Sequence, residues 1–253
     1  MKTVWPKNVW IIRGNHEFAY LCGQCGFFSQ ITEVYGDINI FRGFLKSFSY
    51  IPIAALIGQT TLCIHGGLSP SLYSLSQIKN IQKPFDDFGD DDVIDGILWS
   101  DPSNDLREFS DSPRGTGFLF GPSATEDFMK NNKLKYLVRG HECVPDGYLV
   151  HFGSVITVFG ASNYCGMVNN YSAILNFKSD GVFEPRRFPA LDYLLRNYTI
   201  FVKEKNYISH EPASARNFDP KPKEQLPKLK GKTPRVSVRH HQKFQITPMK
   251  KKA

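Results

Sequence analysis

Three segments of the sequence place a potential metal ligand beside glycine, directly after an apolar run. The ligands are Asn15, His65 and His141, and His16 stands next to the first of them. Amide oxygens and imidazole nitrogens suit ions such as Mn, Fe and Zn, and glycine leaves room for an ion or an oxyanion where the backbone turns. A single histidine after a strand is usually structural, but three such segments in one chain favour a metal site.

The apolar runs before these segments are predicted to be buried strands that deliver the ligands to one edge of a sheet. Ligands of open α/β sheets gather just outside the carboxyl ends of the strands. Continuous apolar runs bounded by glycine indicate such strands, here residues 9–13, 61–65 and 135–139. Residues 53–57 and 61–65 flank a short turn with glycine, which predicts a hairpin.

Helical spacing and alternation of apolar residues predict the other elements of an α/β fold. Helices are expected at residues 17–28, 41–50, 71–81, 91–99 and 123–131, the last with Ser123 as its N-cap. Further strands are expected at residues 148–152, 155–159, 173–177 and 182–188, and the polar residues 100–117 are expected to form a loop.

Composition divides the chain into a globular part and a basic tail. Hydrophobic residues make up 41% of the 253 residues, which allows a sizeable core. Residues 190–253 contain 15 basic and 5 acidic residues, a net charge of +10, whereas the remainder carries −3 of the total of +7. We therefore predict a domain over residues 1–200 and a disordered tail over residues 201–253. A solvated tail is favoured over one that binds nucleic acid.

Targeting and redox signals are weak. No run approaches the roughly 18 apolar residues of a membrane span, and residues 1–10 carry no secretory signal, so a cytoplasmic or nuclear location and no membrane partner are expected.

The five cysteines form no regular framework, and their thiols are expected to be reduced. Cys22 and Cys25 form an isolated CxxC pair, which is interpreted as two helix thiols rather than a zinc site.

Six short motifs follow one another in a fixed order between residues 5 and 188. They are RGNHE at residues 13–17, HGGLSP at 65–70, LWSDP at 98–102, RG at 114–115, RGHE at 139–142 and SNYCG at 162–166. This series resembles the signature of the phosphoprotein phosphatases, the serine/threonine protein phosphatases of types 1, 2A and 2B. The resemblance implies a calcineurin-like metallophosphoesterase fold, a two-sheet β-sandwich with flanking helices.

The resemblance also implies roles for individual residues. Asn15, His65 and His141 would bind the second of two metal ions, and His16 would be the general acid that protonates the leaving serine or threonine oxygen. Arg114 would bind the phosphate through its planar fork.

The substrate cleft would be lined by Tyr164 and Cys165. The family's two ions, Mn, Fe or Zn, lower the pKa of a shared water that attacks phosphorus. Phosphoprotein substrates and regulatory subunits are the partners that the resemblance implies.

Two family motifs that precede RGNHE, Gly-Asp-x-His-Gly and Gly-Asp-x-Val-Asp-Arg-Gly, do not occur in the sequence. The GDIN at residues 36–39 follows RGNHE and lacks the histidine, so a turn between helices is expected there. The ligands of the first metal belong to the missing motifs, so at most one ion is expected here. Three functions remain open: a phosphatase of doubtful competence, a pseudophosphatase that only binds, and an N-terminally truncated fragment of a longer active enzyme.

Overall fold

The computed structural model describes residues 1–190, and the predicted boundary at residue 200 and the basic tail lie outside them. The helices within this range are α1 (Ala19–Gln24), α2 (Phe27–Tyr35), α3 (Ile38–Ser49), α4 (Leu75–Asn80), α5 (Asp92–Trp99) and α6 (Pro122–Asn131). The strands are β1 (Ala54–Ile57), β2 (Thr61–Ile64), β3 (Asp101–Pro102), β4 (Phe109–Asp111), β5 (Phe118–Phe120), β6 (Tyr136–Arg139), β7 (Tyr148–His151), β8 (Val155–Val158), β9 (Ser172–Phe177) and β10 (Phe183–Phe188).

A five-stranded sheet in the order β1-β2-β6-β8-β7 forms the centre of the domain. Strands β2, β6 and β8 run parallel, whereas β1 and β7 are antiparallel edge strands. The predicted hairpin is present, with Ala54 opposite Ile64. The carboxyl ends of the parallel strands meet at one edge of the sheet, where motif residues follow β2 and β6.

Two smaller sheets complete the strands of the described region. Strands β3, β5 and β4 form a three-stranded sheet, and β9 and β10 form an antiparallel pair. The prediction of a loop over residues 100–117 was therefore wrong in part, because β3 and β4 lie within it. Strands β3 and β4 are only two and three residues long and are held by pairing with β5, so no local periodicity marks them.

The predicted strand at residues 9–13 is absent from the structure. No neighbouring strand pairs with this segment among residues 1–190, and the amide of Arg13 donates to the carbonyl of Pro52 at 2.8 Å. The side chains of Trp10 and Ile11 are exposed. An apolar run becomes a strand only when another strand supplies its hydrogen bonds, and here none does.

The helix predicted at residues 17–28 is divided into α1 and α2. Gly26 between them has a φ of 86°, a left-handed conformation that ends one helix and begins the next. The turn expected at residues 36–39 is shorter than predicted and consists of Gly36 and Asp37, because Ile38 and Asn39 already belong to α3. Asp37 caps α3 by accepting from the amide of Asn39 at 2.8 Å. Ser123 is not the N-cap of α6, because Pro122 occupies the first turn and Gly121 is the cap.

Apolar side chains from the central sheet and the helices pack into one main core. Its members include Leu62, Ile64, Leu98, Phe120 and Leu137, each at most 2% exposed. A smaller cluster around Phe41 joins α1, α2 and α3. Within residues 1–190 no helix is long and apolar enough to cross a membrane.

Candidate metal and phosphate site

The three predicted metal ligands converge at the carboxyl edge of the central sheet. Asn15 lies in the loop before α1, His65 follows β2 and His141 follows β6. The Nε2 atom of His65 lies 2.8 Å from Oδ1 of Asn15. The imidazole rings of His65 and His141 meet edge to face, with 4.9 Å between their centroids. Residues from three distant motifs thus share one small region.

Both imidazoles are held in the neutral form that binds metals. Burial, reinforced by the positive charges of Arg114 and Arg139, lowers the pKa of His141 to about 2. Burial likewise lowers the pKa of His65 to about 4. The Nε2 atom of His141 is buried and has no hydrogen-bond partner among residues 1–190. The ring of Trp99 packs edge to face on the ring of His141, with 5.7 Å between their centroids. A buried polar atom without a partner is costly, and a metal ion would satisfy it.

This set of donors fits one divalent ion. His65 Nε2 and Asn15 Oδ1 are 2.8 Å apart, close enough for both atoms to contact the same ion. Within residues 1–190 no group of three or more His, Cys, Asp or Glu side chains is arranged to hold a metal. The site therefore depends on the Asn15 amide, and its three ligands are all neutral.

The carboxylates around the site are engaged in other interactions. Asp101 forms ion pairs with Arg114 and Arg139, and Glu142 also pairs with Arg139. The Oε2 atom of Glu17 accepts from the backbone amide of Gly14 at 2.8 Å. These carboxylates shape the loops around the ligands instead of offsetting the charge of an ion.

The loop after β2 packs so closely on α5 that its second residue, Gly66, must be glycine. The amide of Gly66 donates to the carbonyl of Ile97 at 2.6 Å, and a Cβ on Gly66 would lie 2.5 Å from the backbone nitrogen of Trp99. On the other side, the amide of Gly140 donates to the carbonyl of His65 at 3.1 Å. The backbone on both sides therefore fixes the position of His65.

The loop before α1 is closed by its own arginine and glutamate. The Nε and Nη2 atoms of buried Arg13 donate to the carbonyl of Glu17 at 3.1 and 2.8 Å, and its guanidinium lies 3.6 Å from the ring centre of Phe18. Burial lowers the pKa of Arg13 to about 10, so it stays charged at pH 7. Together with the bond from the Gly14 amide to Glu17, these contacts hold Asn15 at the ligand position.

Arg114, the predicted phosphate ligand, is oriented by a buried ion-pair network. Its Nε atom donates to Oδ2 of Asp101, and Oδ1 of Asp101 accepts from Nη2 of Arg139 at 2.7 Å. The Arg139 side chain is fully buried and also donates through Nε to the carbonyl of Gly66 at 2.8 Å. A guanidinium held in a fixed plane suits the recognition of two phosphate oxygens.

His16, the predicted general acid, is exposed beside the ligands and lines a cavity of about 220 Å³ next to α1. It directly follows Asn15 in the loop before α1. An exposed imidazole in this position is accessible to a substrate.

The predicted cleft residues, Tyr164 and Cys165, lie on an exposed loop after β8. The ring of Tyr164 packs edge to face on Phe159, with 5.0 Å between centroids. Asn170, which is fully buried, accepts from the Tyr164 amide at 2.9 Å and donates to the carbonyl of Ala161 at 2.8 Å. The side chain of Asn170 thus sets the shape of the cleft loop.

Sequence reasoning gave no role to Asp101, Arg139 or Asn170. Arg139 had a signal that could have been used: an arginine at the end of an apolar run must be paired if the run is buried. Its partner Asp101 lies 38 residues away in the sequence, so the sequence alone did not identify this partner. No sequence pattern marks Asn170.

Comparison with known proteins shows which family the chain belongs to. The model of the calcineurin-like phosphoesterase family matches residues 1–145. A protein phosphatase 2A catalytic subunit of Dictyostelium discoideum is 35% identical over 69% of this chain and 56% of its own length. The serine/threonine-protein phosphatase 4 catalytic subunit of Saccharomyces cerevisiae is 34% identical over 83% of this chain and 64% of its own length.

A solved structure of a protein serine/threonine phosphatase from Saccharomyces cerevisiae, with similarity to human phosphatase PP5, superposes with a TM-score of 0.70. It is 31% identical, and the match covers 76% of this chain and 64% of that one. The chain therefore spans between 56% and 64% of the length of these three relatives. The predicted metallophosphoesterase fold is confirmed, and the chain belongs to the calcineurin-like phosphoesterase family, among whose serine/threonine protein phosphatases its relatives are found.

Proposed function

We propose that the chain binds the phosphate of phosphoserine and phosphothreonine in proteins at a site built around one divalent ion, and that it acts in the hydrolysis of that phosphate ester. The observation that carries the proposal is the convergence of Asn15, His65 and His141, with the buried Nε2 of His141 left without a partner. Mn, Fe and Zn ions all suit this mixture of amide and imidazole ligands.

The chain's own residues divide the work between binding and proton transfer. Arg114, oriented by Asp101, binds two phosphate oxygens and holds the ester against the ligands. The imidazole of His16 donates a proton to the leaving serine or threonine oxygen. Tyr164 and Cys165 line the path of the peptide. A bound divalent ion supplies Lewis-acid stabilisation and lowers the pKa of a coordinated water.

A second candidate function is phosphoprotein binding without turnover. It is favoured by the neutral ligand set, because the nearby carboxylates of Asp101 and Glu142 are paired with arginine and do not offset the charge of an ion. Such a site binds metal weakly. Regulatory subunits and a cytoplasmic or nuclear location fit either function, and both remain proposals.

Calorimetric titration of residues 1–253 with Mn²⁺ tests the site. We expect one weak binding site, which His141→Ala abolishes and Cys25→Ala, at an exposed position, leaves intact. Two tight sites, or unchanged binding in His141→Ala, would overturn the ligand assignment.

Release of phosphate from a phosphoserine peptide separates the two functions. We expect turnover lower than that of the Saccharomyces cerevisiae relative by roughly 10²–10³, because the three ligands are neutral and the nearby carboxylates are paired with arginine. His16→Ala should lower it further. Binding of the peptide with no turnover above background would favour the binding module. Turnover within about tenfold of the relative that depends on His16 would instead establish a fully competent catalyst.

A further inference from the structure

The CxxC pair at the end of α1 lies beside the candidate general acid and has no part in the proposed chemistry. Cys22 and Cys25 line the same cavity of about 220 Å³ as His16. The thiol of Cys22 donates to the backbone carbonyl of His16, with 3.2 Å between sulfur and oxygen. The two cysteines therefore line one cavity, and Cys22 contacts the loop that carries His16.

The two thiols differ in a way that suits a two-step oxidation. Cys25 is exposed, whereas Cys22 is only 3% exposed. Burial, with the nearby charge of Glu17, raises the pKa of Cys22, so this thiol is a poor first nucleophile. Cys25 is the thiol that meets an oxidant first, and Cys22 is placed to react with it afterwards.

The backbone permits the two sulfurs to approach. Residues three apart on a helix have Cβ atoms about 5–6 Å apart, and a disulfide needs about 3.5–4.5 Å, so the last turn of α1 must tighten. Cys25 is already the C-cap of α1 and is followed by Gly26 in a left-handed conformation. A Cβ on Gly23 would meet nothing within 4 Å, so the turn between the cysteines has room to move.

We propose that Cys22 and Cys25 form a modification site at which a peroxide converts two thiols to a disulfide, and that this reaction displaces the loop of His16. Formation of the disulfide removes the hydrogen that Cys22 donates to the His16 carbonyl and draws the Cys22 sulfur towards Cys25. The site is distinct from the metal ligands and does not depend on hydrolytic activity.

The reaction balances with hydrogen peroxide as the oxidant. The Cys25 sulfur attacks one peroxide oxygen, the O–O bond breaks, and a sulfenic acid and one water form. The Cys22 sulfur then attacks the Cys25 sulfur, the S–O bond breaks, and a second water leaves with the proton of Cys22. Two thiols lose two electrons and two protons, and hydrogen peroxide is reduced to two molecules of water.

Trypsin provides a direct assay, because residues 14–42 form one tryptic peptide in which Cys22 and Cys25 are the only cysteines. The protein is treated with hydrogen peroxide, alkylated with iodoacetamide and analysed by mass spectrometry. We expect this peptide to lose two hydrogens and both alkylation sites, and to recover them after treatment with dithiothreitol. A peptide that stays fully alkylated while other cysteines oxidise, or Cys25 linked to Cys143 or Cys165, overturns the proposal.

Single variants separate the two steps. Cys22→Ser removes the second thiol, so the Cys25 sulfenic acid should accumulate and be trapped by dimedone. Cys25→Ser, at an exposed position, should leave Cys22 alkylated after peroxide treatment. Cys63→Ser is the control, since Cys63 has a pKa raised to about 11 by burial, and it should leave the disulfide unchanged. Failure of Cys22→Ser to trap a sulfenic acid while Cys25→Ser still loses its thiol would reverse the assigned order and overturn the mechanism.

Nuclear magnetic resonance tests the link to His16 without any measurement of activity. We expect the ring resonances of His16, assigned with His16→Ala, to shift on oxidation of the wild type and to stay in place in Cys25→Ser. The ring of His151, on β7, is the internal reference and should not move. A disulfide that forms without any shift of His16 would refute the proposed displacement.

Discussion

Asp101 joins two arginines whose environments differ. Arg139 is fully buried, whereas Arg114 is partly exposed at the candidate phosphate site. A buried guanidinium without a partner is very unfavourable, so Asp101 serves stability through Arg139 and orientation through Arg114. Arg114, the predicted phosphate ligand, is thus tied through Asp101 to Arg139, the last residue of β6.

Replacement of Asp101 by asparagine tests this double role. Asp101→Asn keeps the shape of the side chain but leaves Arg139 with only Glu142 as its counter-charge, so the free energy of unfolding should fall by about 3 kcal/mol. Phosphate binding should weaken in the same variant, since Arg114 loses its orienting partner. Urea unfolding and phosphate titration measure the two effects. Asp111→Asn, an exposed aspartate on β4, is the control and should stay within about 0.5 kcal/mol of the wild type.

At the scale of elements, close contact between α5 and the loop after β2 positions His65. A Cβ on Gly66 would come within 2.5 Å of the Trp99 backbone, whereas a Cβ on Gly43, in the middle of α3, would meet nothing within 4 Å. The same substitution should therefore have opposite effects at these two glycines.

We expect Gly66→Ala to lower the free energy of unfolding by about 1–3 kcal/mol, because an added methyl group forces the backbone apart. Binding of Mn²⁺ should weaken with it, since His65 moves. Gly43→Ala should raise stability by about 1 kcal/mol, because alanine is the better helix former. Thermal unfolding of both variants measures these changes. If both substitutions changed the free energy of unfolding in the same direction, the close packing of α5 on this loop would be contradicted.

The pairing of β7 with β8 contains a histidine that makes stability depend on pH. His151 is 9% exposed and lies 3.1 Å from the hydroxyl of Thr157, and burial lowers its pKa. In the unfolded chain a histidine has a pKa of about 6.5. As the pH falls below that value, the unfolded state therefore binds more protons than the folded state. The neutral ring therefore contributes stability above that pH, and the contribution is lost on acidification.

His151→Gln should flatten part of this dependence. The melting temperature of the wild type should fall as the pH is lowered from 7.5 to about 5, and the fall should be smaller in the variant. Differential scanning calorimetry across that range gives the two slopes. If the melting temperatures of the two proteins fell equally with pH, His151 would not contribute to the pH dependence of stability.

The elements also indicate how far the sequence could predict the fold. Strands β6 and β8 and the hairpin were predicted because their apolar runs lie between clear turn residues. The strand at residues 9–13 was not found, since its apolar pattern has no neighbouring strand to pair with. The motifs marked residues that the structure brings together at Asn15, but the network through Asp101 depends on contacts between distant segments, which no local pattern encodes.

At the scale of the whole molecule, apolar side chains remain exposed on the first residues and on the edge strand β1. Trp10 is 67% exposed and Leu56 on β1 is 44% exposed. Among residues 1–190, strand β1 pairs with β2 on one side only, and within this range no strand pairs with the backbone groups on its other side. Exposed apolar edges of this kind pair with other chains unless charge or proline protects them.

We therefore expect residues 1–253 to self-associate, and a lysine on the edge strand to oppose it. Leu56→Lys places a charge next to the unpaired backbone of β1, and a second chain could add to that edge only by burying it. Tyr73→Lys is the matched control, because Tyr73 is 67% exposed but lies outside the strands. Size-exclusion chromatography with light scattering over a range of concentrations should show a smaller mean mass for Leu56→Lys and no change for Tyr73→Lys. A wild-type chain that stays monomeric throughout would mean that its exposed apolar groups do not drive association. In that case the unpaired edge of β1 is protected by the twist of the sheet or by its short length of four residues, both of which limit how much backbone a second chain can pair with.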